Sequence, residues 1–143
     1  MACHERLATK VRLKRLGLLQ EDQCSLYNEA AEDINHLLFS CMITHAIWKS
    51  VLEWLELEHV PLQWKEEITW IERHTKGKGF IHSTLKIAIA ETVYGVWMYR
   101  NSRIFDANAL TNHTKIVRNI IDTILYRGWM RTKYRSKLAL LMM

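Results

Sequence analysis

Proline, cysteine and glycine are scarce in this 143-residue chain, which contains one, three and five of them respectively. Three cysteines are too few for a disulfide framework, so we expect reduced thiols in an intracellular protein. No apolar run is long enough to cross a bilayer and no apolar leader stands near the start, so membrane and secreted classes are not expected. The sequence does not decide between nucleus and cytoplasm.

Sequence signals of catalysis are lacking as well. No two aspartates are adjacent, and the glycine-containing stretch KGKG at 76–79 follows no strand, as a phosphate-binding loop would. Cys3 and His4 are neighbours, but nothing nominates the third group that orients a thiol–imidazole pair. We therefore expect no catalytic residue and no enzyme.

Apolar residues, by contrast, make up 49% of the chain and recur at helical spacing. Nothing alternates with a period of two for long enough to form a sheet. The pattern predicts an all-α fold of four to five helices, at about 9–16, 42–58, 64–74, 81–104 and from 111 onward, the last capped by Thr111 or Asn112. Four tryptophans on or beside these stripes are expected to pack in the core rather than stack on bases: Trp48, Trp54, Trp70 and Trp97.

Basic residues are concentrated at the two ends. Residues 1–20 carry five Lys and Arg against one Glu, and residues 110–143 carry seven against one Asp. The net charge of the remaining central part, residues 21–109, is therefore −5. This pattern is compatible with polyanion binding, with ends that fold back on the centre, or with solvated charged helices. The candidate phosphate contacts are Lys10, Arg12, Lys14, Arg15, Arg127, Arg131, Lys133, Arg135 and Lys137.

The stretch CSLYNEAAEDINHLLFSC at 24–41 contains residue types that bind zinc. Cys24 opens it, and His36 precedes Cys41 by five positions. Residues five apart on an α-helix point about 140° apart, so the helix must end or kink between His36 and Cys41 if both are to bind one ion. His45, four residues after Cys41, is the candidate fourth ligand. Spacing alone leaves a metal knuckle, a degenerate knuckle and a coincidence open.

Two segments of the chain carry a family resemblance. The first, from residue 6 to 51, reads RLATKVRLKRLGLLQEDQCSLYNEAAEDINHLLFSCMITHAIWKSV, and the second, at 93–105, reads VYGVWMYRNSRIF. Together they resemble the zinc-binding domain that follows the reverse transcriptase of plant LINE-type (non-LTR) retrotransposons. The matching positions of the first segment are Arg6, Leu7, Thr9, Lys10, Arg12, Leu13, Gly17, Cys24, His36, Leu37, Phe39, Cys41 and Trp48. Those of the second are Tyr94, Trp97, Arg100, Asn101, Arg103, Ile104 and Phe105.

The resemblance implies zinc ligands at Cys24, His36 and Cys41, but the chain departs from the family pattern twice. Tyr27 stands where the family has a second cysteine, and a neutral phenol with a pKa of about 10 is a poor zinc ligand at neutral pH. Met42 stands where the family commonly has proline, so the helix is free to run straight through Cys41. We therefore expect a degenerate knuckle and a folded domain without zinc.

The resemblance also implies a non-catalytic accessory domain that holds RNA or DNA with little sequence selectivity. Residues 1–60 would form the zinc-binding-like part, with the knuckle at 24–41, and 61–143 a helical region packed on it as one folding unit. Arg100 and Arg103 are expected to pair with helix carbonyls or local carboxylates rather than to join the basic surface. The alternative is a truncated copy that persists as a folded relic or an interaction module, self-associating through the apolar end at Leu138–Met143.

Overall fold

The computed structural model describes residues 8–24, 26, 30–33, 35–77, 79–105 and 113–129. Within these ranges the chain forms a π-helical turn at His36–Ser40 and five α-helices, which are α1 (Lys10–Arg15), α2 (Met42–Trp54), α3 (Trp64–Thr75), α4 (Phe80–Phe105) and α5 (His113–Trp129). Their only strand-like pairing is an isolated antiparallel bridge between Gln23 and Ala31. The predicted all-α fold with an irregular N-terminal knuckle is confirmed. The predicted cap at Thr111 or Asn112 and the Leu138–Met143 end lie outside the described residues.

The short helix α1 has a recognisable start and stop. Thr9 is extended (φ −66°, ψ 159°), and its hydroxyl accepts the backbone N–H of Arg12 at 3.3 Å. Gly17 follows the helix with φ +77°, and the N–H of Leu18 reaches back to the carbonyl of Leu13 at 2.9 Å. This is the Schellman arrangement, in which glycine adopts the left-handed conformation at little cost.

Helix α2 ends earlier than the sequence predicts. Its last helical residue is Trp54 rather than residue 58, because Glu56 adopts φ +60° and turns the chain. The same Schellman bonds form here, from Leu57 N–H to the Leu52 carbonyl and from Glu56 N–H to the Glu53 carbonyl. A glutamate in the left-handed position gives no stop signal in the sequence, which explains the overestimate.

The core is one apolar cluster that runs from the π-helical turn to α5. Helix α4 packs along α5 and also contacts α2, α3 and the π-helical turn. The buried members of the cluster are Leu37, Leu38, Ile47, Trp48, Val51, Leu52, Leu55, Trp64, Ile71, Leu85, Ala88, Val96, Ile116, Ile120 and Ile124. Trp48 is fully buried and Trp54, Trp70 and Trp97 pack against the cluster, so the tryptophans serve the core as predicted. Among the helices described, none is both long and apolar enough to cross a membrane.

A buried carboxylate ties α2 to α3. Glu67 is fully buried and accepts the indole N–H of Trp48 at 3.0 Å and the backbone N–H of Leu62 at 2.6 Å. Nε2 of His59 lies 2.9 Å from each of its oxygens. The Glu67 carboxylate therefore has hydrogen-bond partners in α2 (Trp48) and in the loop between α2 and α3 (His59 and Leu62), as a buried charge requires.

Candidate metal centre

A short antiparallel pairing positions Cys24. The backbone N–H of Cys24 donates to the carbonyl of Ala30 at 2.9 Å, and the N–H of Glu32 donates to the carbonyl of Asp22 at 2.6 Å. Gln23 and Ala31 form the bridge between these two bonds. The pairing directs the thiol of Cys24 into the protein, where the residue is fully buried.

The π-helical turn brings His36 and Cys41 together. The N–H of Cys41 donates to the carbonyl of His36 at 2.7 Å, and this i→i+5 bond joins the backbones of the two candidate ligands. Cys41 itself is extended (φ −62°, ψ 132°) and is the N-cap residue of α2. The expectation that Met42 lets a helix run straight through Cys41 is therefore wrong. The break needs no proline, because the wider turn and the extended Cys41 backbone already supply it.

The three side chains converge on one point. The candidate ligand atoms of Cys24, His36 and Cys41 all lie within 4.8 Å of one another, and the two sulfurs are 3.9 Å apart. Two thiolates on a tetrahedral zinc, each bonded at about 2.3 Å, would be about 3.8 Å apart. Nε2 of His36 is buried and finds no hydrogen-bond partner among the described residues. Soft sulfur donors plus an unpartnered imidazole nitrogen at this spacing fit a zinc ion.

The fourth position of such a site is not filled by the predicted residue. His45 donates its backbone N–H to the carbonyl of Cys41 at 2.8 Å, but its ring is not part of the cluster of ligand atoms. Tyr27, which replaces the family's second cysteine, lies outside the described residues, as do Cys3 and His4. The part of the chain that the structure describes thus supplies three ligand atoms at this centre.

The surroundings of Cys41 favour its thiolate. The thiol of Cys24 hydrogen-bonds to it and is the largest cause that lowers its pKa. Burial opposes this effect, while the backbone N–H groups of Thr44 and Ile43, at the start of α2, and the Thr44 hydroxyl act with Cys24. Together they lower the pKa of Cys41 from 9.0 to about 6. Zinc binds the thiolate form, so this sulfur is prepared for a metal at neutral pH.

Glu32, which was not predicted from the sequence as a functional residue, is connected by backbone pairing to the segment of Cys24. Glu32 belongs to the same pairing as Cys24, is fully buried, and contacts the guanidinium of Arg100 at 2.6 Å. Arg100 thus pairs with a carboxylate, but with one 68 positions away in the sequence rather than with the local carboxylate that was expected. A fully buried glutamate has no signature in a single sequence, since Glu is usually exposed.

The basic residues of α1 differ in their surroundings. Arg12 and Arg15 are exposed, whereas Lys10 is half-buried. Lys14 lies 3.4 Å from the carboxylate of Asp22, in an exposed ion pair. Three of the four predicted N-terminal cations, Arg12, Lys14 and Arg15, therefore reach solvent from the last turn of one short helix.

The C-terminal basic group is described only in part. Nε of Arg127 lies 2.9 Å from the carboxylate of Glu91, and the Arg127 side chain remains 60% exposed. The other predicted cations of this group, Arg131, Lys133, Arg135 and Lys137, lie outside the described residues.

Two cysteines and a histidine converging beside the first turn of a helix are a donor set typical of zinc sites. Residues 1–48 match the family described as zinc-binding in reverse transcriptase, and the matched region contains all three cluster residues. The match covers about a third of the chain and ends within α2. Comparison with curated proteins and with solved structures gives no match.

Proposed function

We propose that Cys24, His36 and Cys41 bind a structural zinc ion, with water or another donor in the fourth position. The observation that carries this proposal is the convergence of the three ligand atoms within 4.8 Å in a region that matches a zinc-binding family. It departs from the expectation of a zinc-free domain. Of the two reasons for that expectation, a helix continuing through Cys41 does not hold, whereas the replacement of the second cysteine by Tyr27 remains. The large apolar core remains the reason to expect a fold that does not depend on the metal.

Elemental analysis of protein purified without chelators tests this assignment. The wild type should carry about one zinc per chain, as a mononuclear Cys/His site does. Cys41→Ser should lower the metal content sharply, because it removes a ligand sulfur whose pKa is lowered to about 6. His74→Ala removes a metal-binding type of side chain on α3, outside the cluster, and serves as the control. Wild-type protein without zinc, or equal loss in both variants, would reject the assignment.

We further propose that the domain is a non-catalytic part of a plant LINE-type retrotransposon reverse transcriptase and holds RNA or DNA through phosphate contacts. The support comes from the resemblance of residues 6–51 and 93–105 to that family and from the exposed cations of α1. Contacts of this kind give strong salt dependence and little sequence selectivity.

Fluorescence anisotropy with single-stranded RNA at several salt concentrations tests the binding. If Arg12 and Arg15 each contact one phosphate, replacing both by Glu should weaken binding and reduce the salt slope by about 1.4, at roughly 0.7 per phosphate on a single strand. Lys65→Glu makes the same kind of change on α3, beside Glu66, and should have little effect. The absence of binding by the wild type even at low salt would end this proposal.

An interaction module is the second candidate, and one observation favours it. Leu16 and Leu18, two positions apart at the end of α1, are 61% and 68% exposed and so offer apolar surface to a partner. Light scattering should then show a dimer that is insensitive to salt and nucleic acid. Leu18→Ser would return it to a monomer, whereas the exposed Val60→Ser would not.

A further inference from the structure

An ion pair between α4 and the knuckle is buried in the protein. Nη2 of Arg100 lies 2.6 Å from Oε1 of Glu32, and Nε lies 3.1 Å and 3.2 Å from its two oxygens. Arg100 is 5% exposed and Glu32 is fully buried. The two residues are 68 positions apart in the sequence, one in each segment that carries the family resemblance. Two nitrogens of the guanidinium, Nε and Nη2, thus donate to the carboxylate.

The position of the guanidinium is fixed from several sides. Its Nη1 donates to Oδ1 of Asn101 at 2.9 Å, and its Nη2 also donates to the carbonyl of Ala8 at 3.0 Å. The central guanidinium carbon, Cζ of Arg100, lies 4.6 Å from the centroid of the Trp97 ring, one turn earlier on α4. Arg100 is therefore held by its own helix and presents a fixed donor surface to the N-terminal segment.

Backbone hydrogen bonds connect Glu32 to the segment that carries Cys24. Its N–H donates to the carbonyl of Asp22, and its own carbonyl accepts the N–H of Val11 at 3.1 Å. Its Oε1 also accepts the N–H of Lys10 at 2.9 Å, at the start of α1. Cys24 lies two residues after Asp22 in the same pairing, so the carboxylate anchors the strand-like segment that carries this thiol.

A buried ion pair is weak evidence of a stabilising role, because desolvation of both charges offsets most of their attraction. Its geometric demands are strict, however, since either partner alone would be a buried charge without compensation. Cys41 and His36 are held by the π-helical turn and α2, which belong to the core. Cys24 has no such helix, and the Glu32 segment is its connection to α4.

We infer that Arg100 is a positioning residue of the metal centre: by holding Glu32, it keeps the thiol of Cys24 opposite His36 and Cys41. The zinc part of this inference rests on the proposed function, whereas the placement of Cys24 is a property of the metal-free chain as well. Loss of the pair should release Cys24 while leaving Cys41 in place.

Residue-resolved alkylation of the metal-free chain tests the placement. In a Cys3→Ser background, N-ethylmaleimide labelling followed by mass spectrometry gives the ratio of the Cys24 rate to the Cys41 rate. Arg100→Met and Glu32→Gln should both raise this ratio several-fold. Glu67→Gln alters an equally buried carboxylate between α2 and α3, and should leave the ratio unchanged even if it lowers stability. A ratio in Arg100→Met or Glu32→Gln no higher than in Glu67→Gln would overturn the inference.

Zinc affinity, measured by competition with a chromophoric chelator, gives the second readout. Arg100→Met and Glu32→Gln should raise the Kd about 10- to 100-fold, the scale of losses when groups that orient a ligand are removed. Arg100→Lys keeps the charge but not the fork, so a smaller rise is expected, and this variant decides the matter if Arg100→Met does not fold. Failure of both Arg100 variants to fold would make Arg100 a folding residue and overturn the inference. If the wild type binds no zinc, the proposed metal function fails and the alkylation ratio still decides the role of Arg100.

Discussion

In the metal-free protein, the thiol of Cys41 should ionise near pH 6, and removal of Cys24 should move this ionisation upward. The Cys24 thiol is the largest cause of the lowered pKa, and burial, which raises it, would remain in a Cys24→Ala variant. At pH 7, a thiol with a pKa of about 6 is about 90% ionised, whereas one at 9 is about 1% ionised. The expected change is therefore large enough to follow directly.

Ultraviolet absorbance of the thiolate, followed against pH in a Cys3→Ser background, measures this ionisation. The wild-type cluster should show its first step near pH 6, and Cys24→Ala should show a single step at higher pH. Cys24→Ser offers a hydroxyl donor in place of the thiol and should shift the step less than Cys24→Ala. A wild-type step near 9, or a midpoint that Cys24→Ala leaves unchanged, would refute the reasoning.

The same ionisation has a consequence for stability, because the folded pKa lies below the ordinary value of 9.0 for Cys41. The contribution is complete above pH 9, where the unfolded thiol is also ionised, and is lost as the pH falls through about 6. Between these limits it should fall by about 1.4 kcal/mol per pH unit. Urea unfolding at several pH values, compared with Cys41→Ser, isolates this slope from that of the other titrating groups. Parallel pH profiles for the two proteins would contradict it.

Three further predictions concern the fold. Chelation with EDTA should leave the far-ultraviolet circular dichroism largely unchanged. It should lower only the melting temperature, because zinc bound to the folded state adds stability by mass action. A loss of helicity that zinc alone restores would disprove a metal-independent core. Leu52→Ala, at a fully buried core position, should reduce the free energy of unfolding by about 2–5 kcal/mol in urea titrations, whereas the exposed Leu62→Ala should change it little. Glu56→Gly should instead raise stability by about 1 kcal/mol, since Glu56 holds a left-handed conformation that glycine adopts freely; no gain in Tm would argue against that turn.

The helices were predictable from the sequence because their signals are local. Apolar spacing predicted helices at 64–74 and 81–104, and the structure has them at Trp64–Thr75 and Phe80–Phe105. The end of α2 was missed because its left-handed residue is Glu56, where a glycine would have marked the stop. Propensity and periodicity thus identify the helices. An irregular helix end depends on the backbone conformation of single residues, which the residue type does not reveal when it is not glycine.

The candidate site was predictable only as a set of residues. Spacing and resemblance picked out Cys24, His36 and Cys41, but a straight helix was assumed between the last two. The i→i+5 turn that joins them has no compositional signal. The partner of Arg100 was equally out of reach, because contact with Glu32 across 68 positions depends on how α4 lies against the knuckle.

The turn from His36 to Cys41 also explains how two ligands five positions apart can face one another. A π-helical turn contains one residue more than an α-helical turn. In a regular α-helix, residues five apart would point about 140° apart, whereas the wider turn brings the sulfur of Cys41 and the imidazole of His36 back to one side. A segment 37–40 that relaxed into a regular α-helix without a change in length would therefore separate the two ligands.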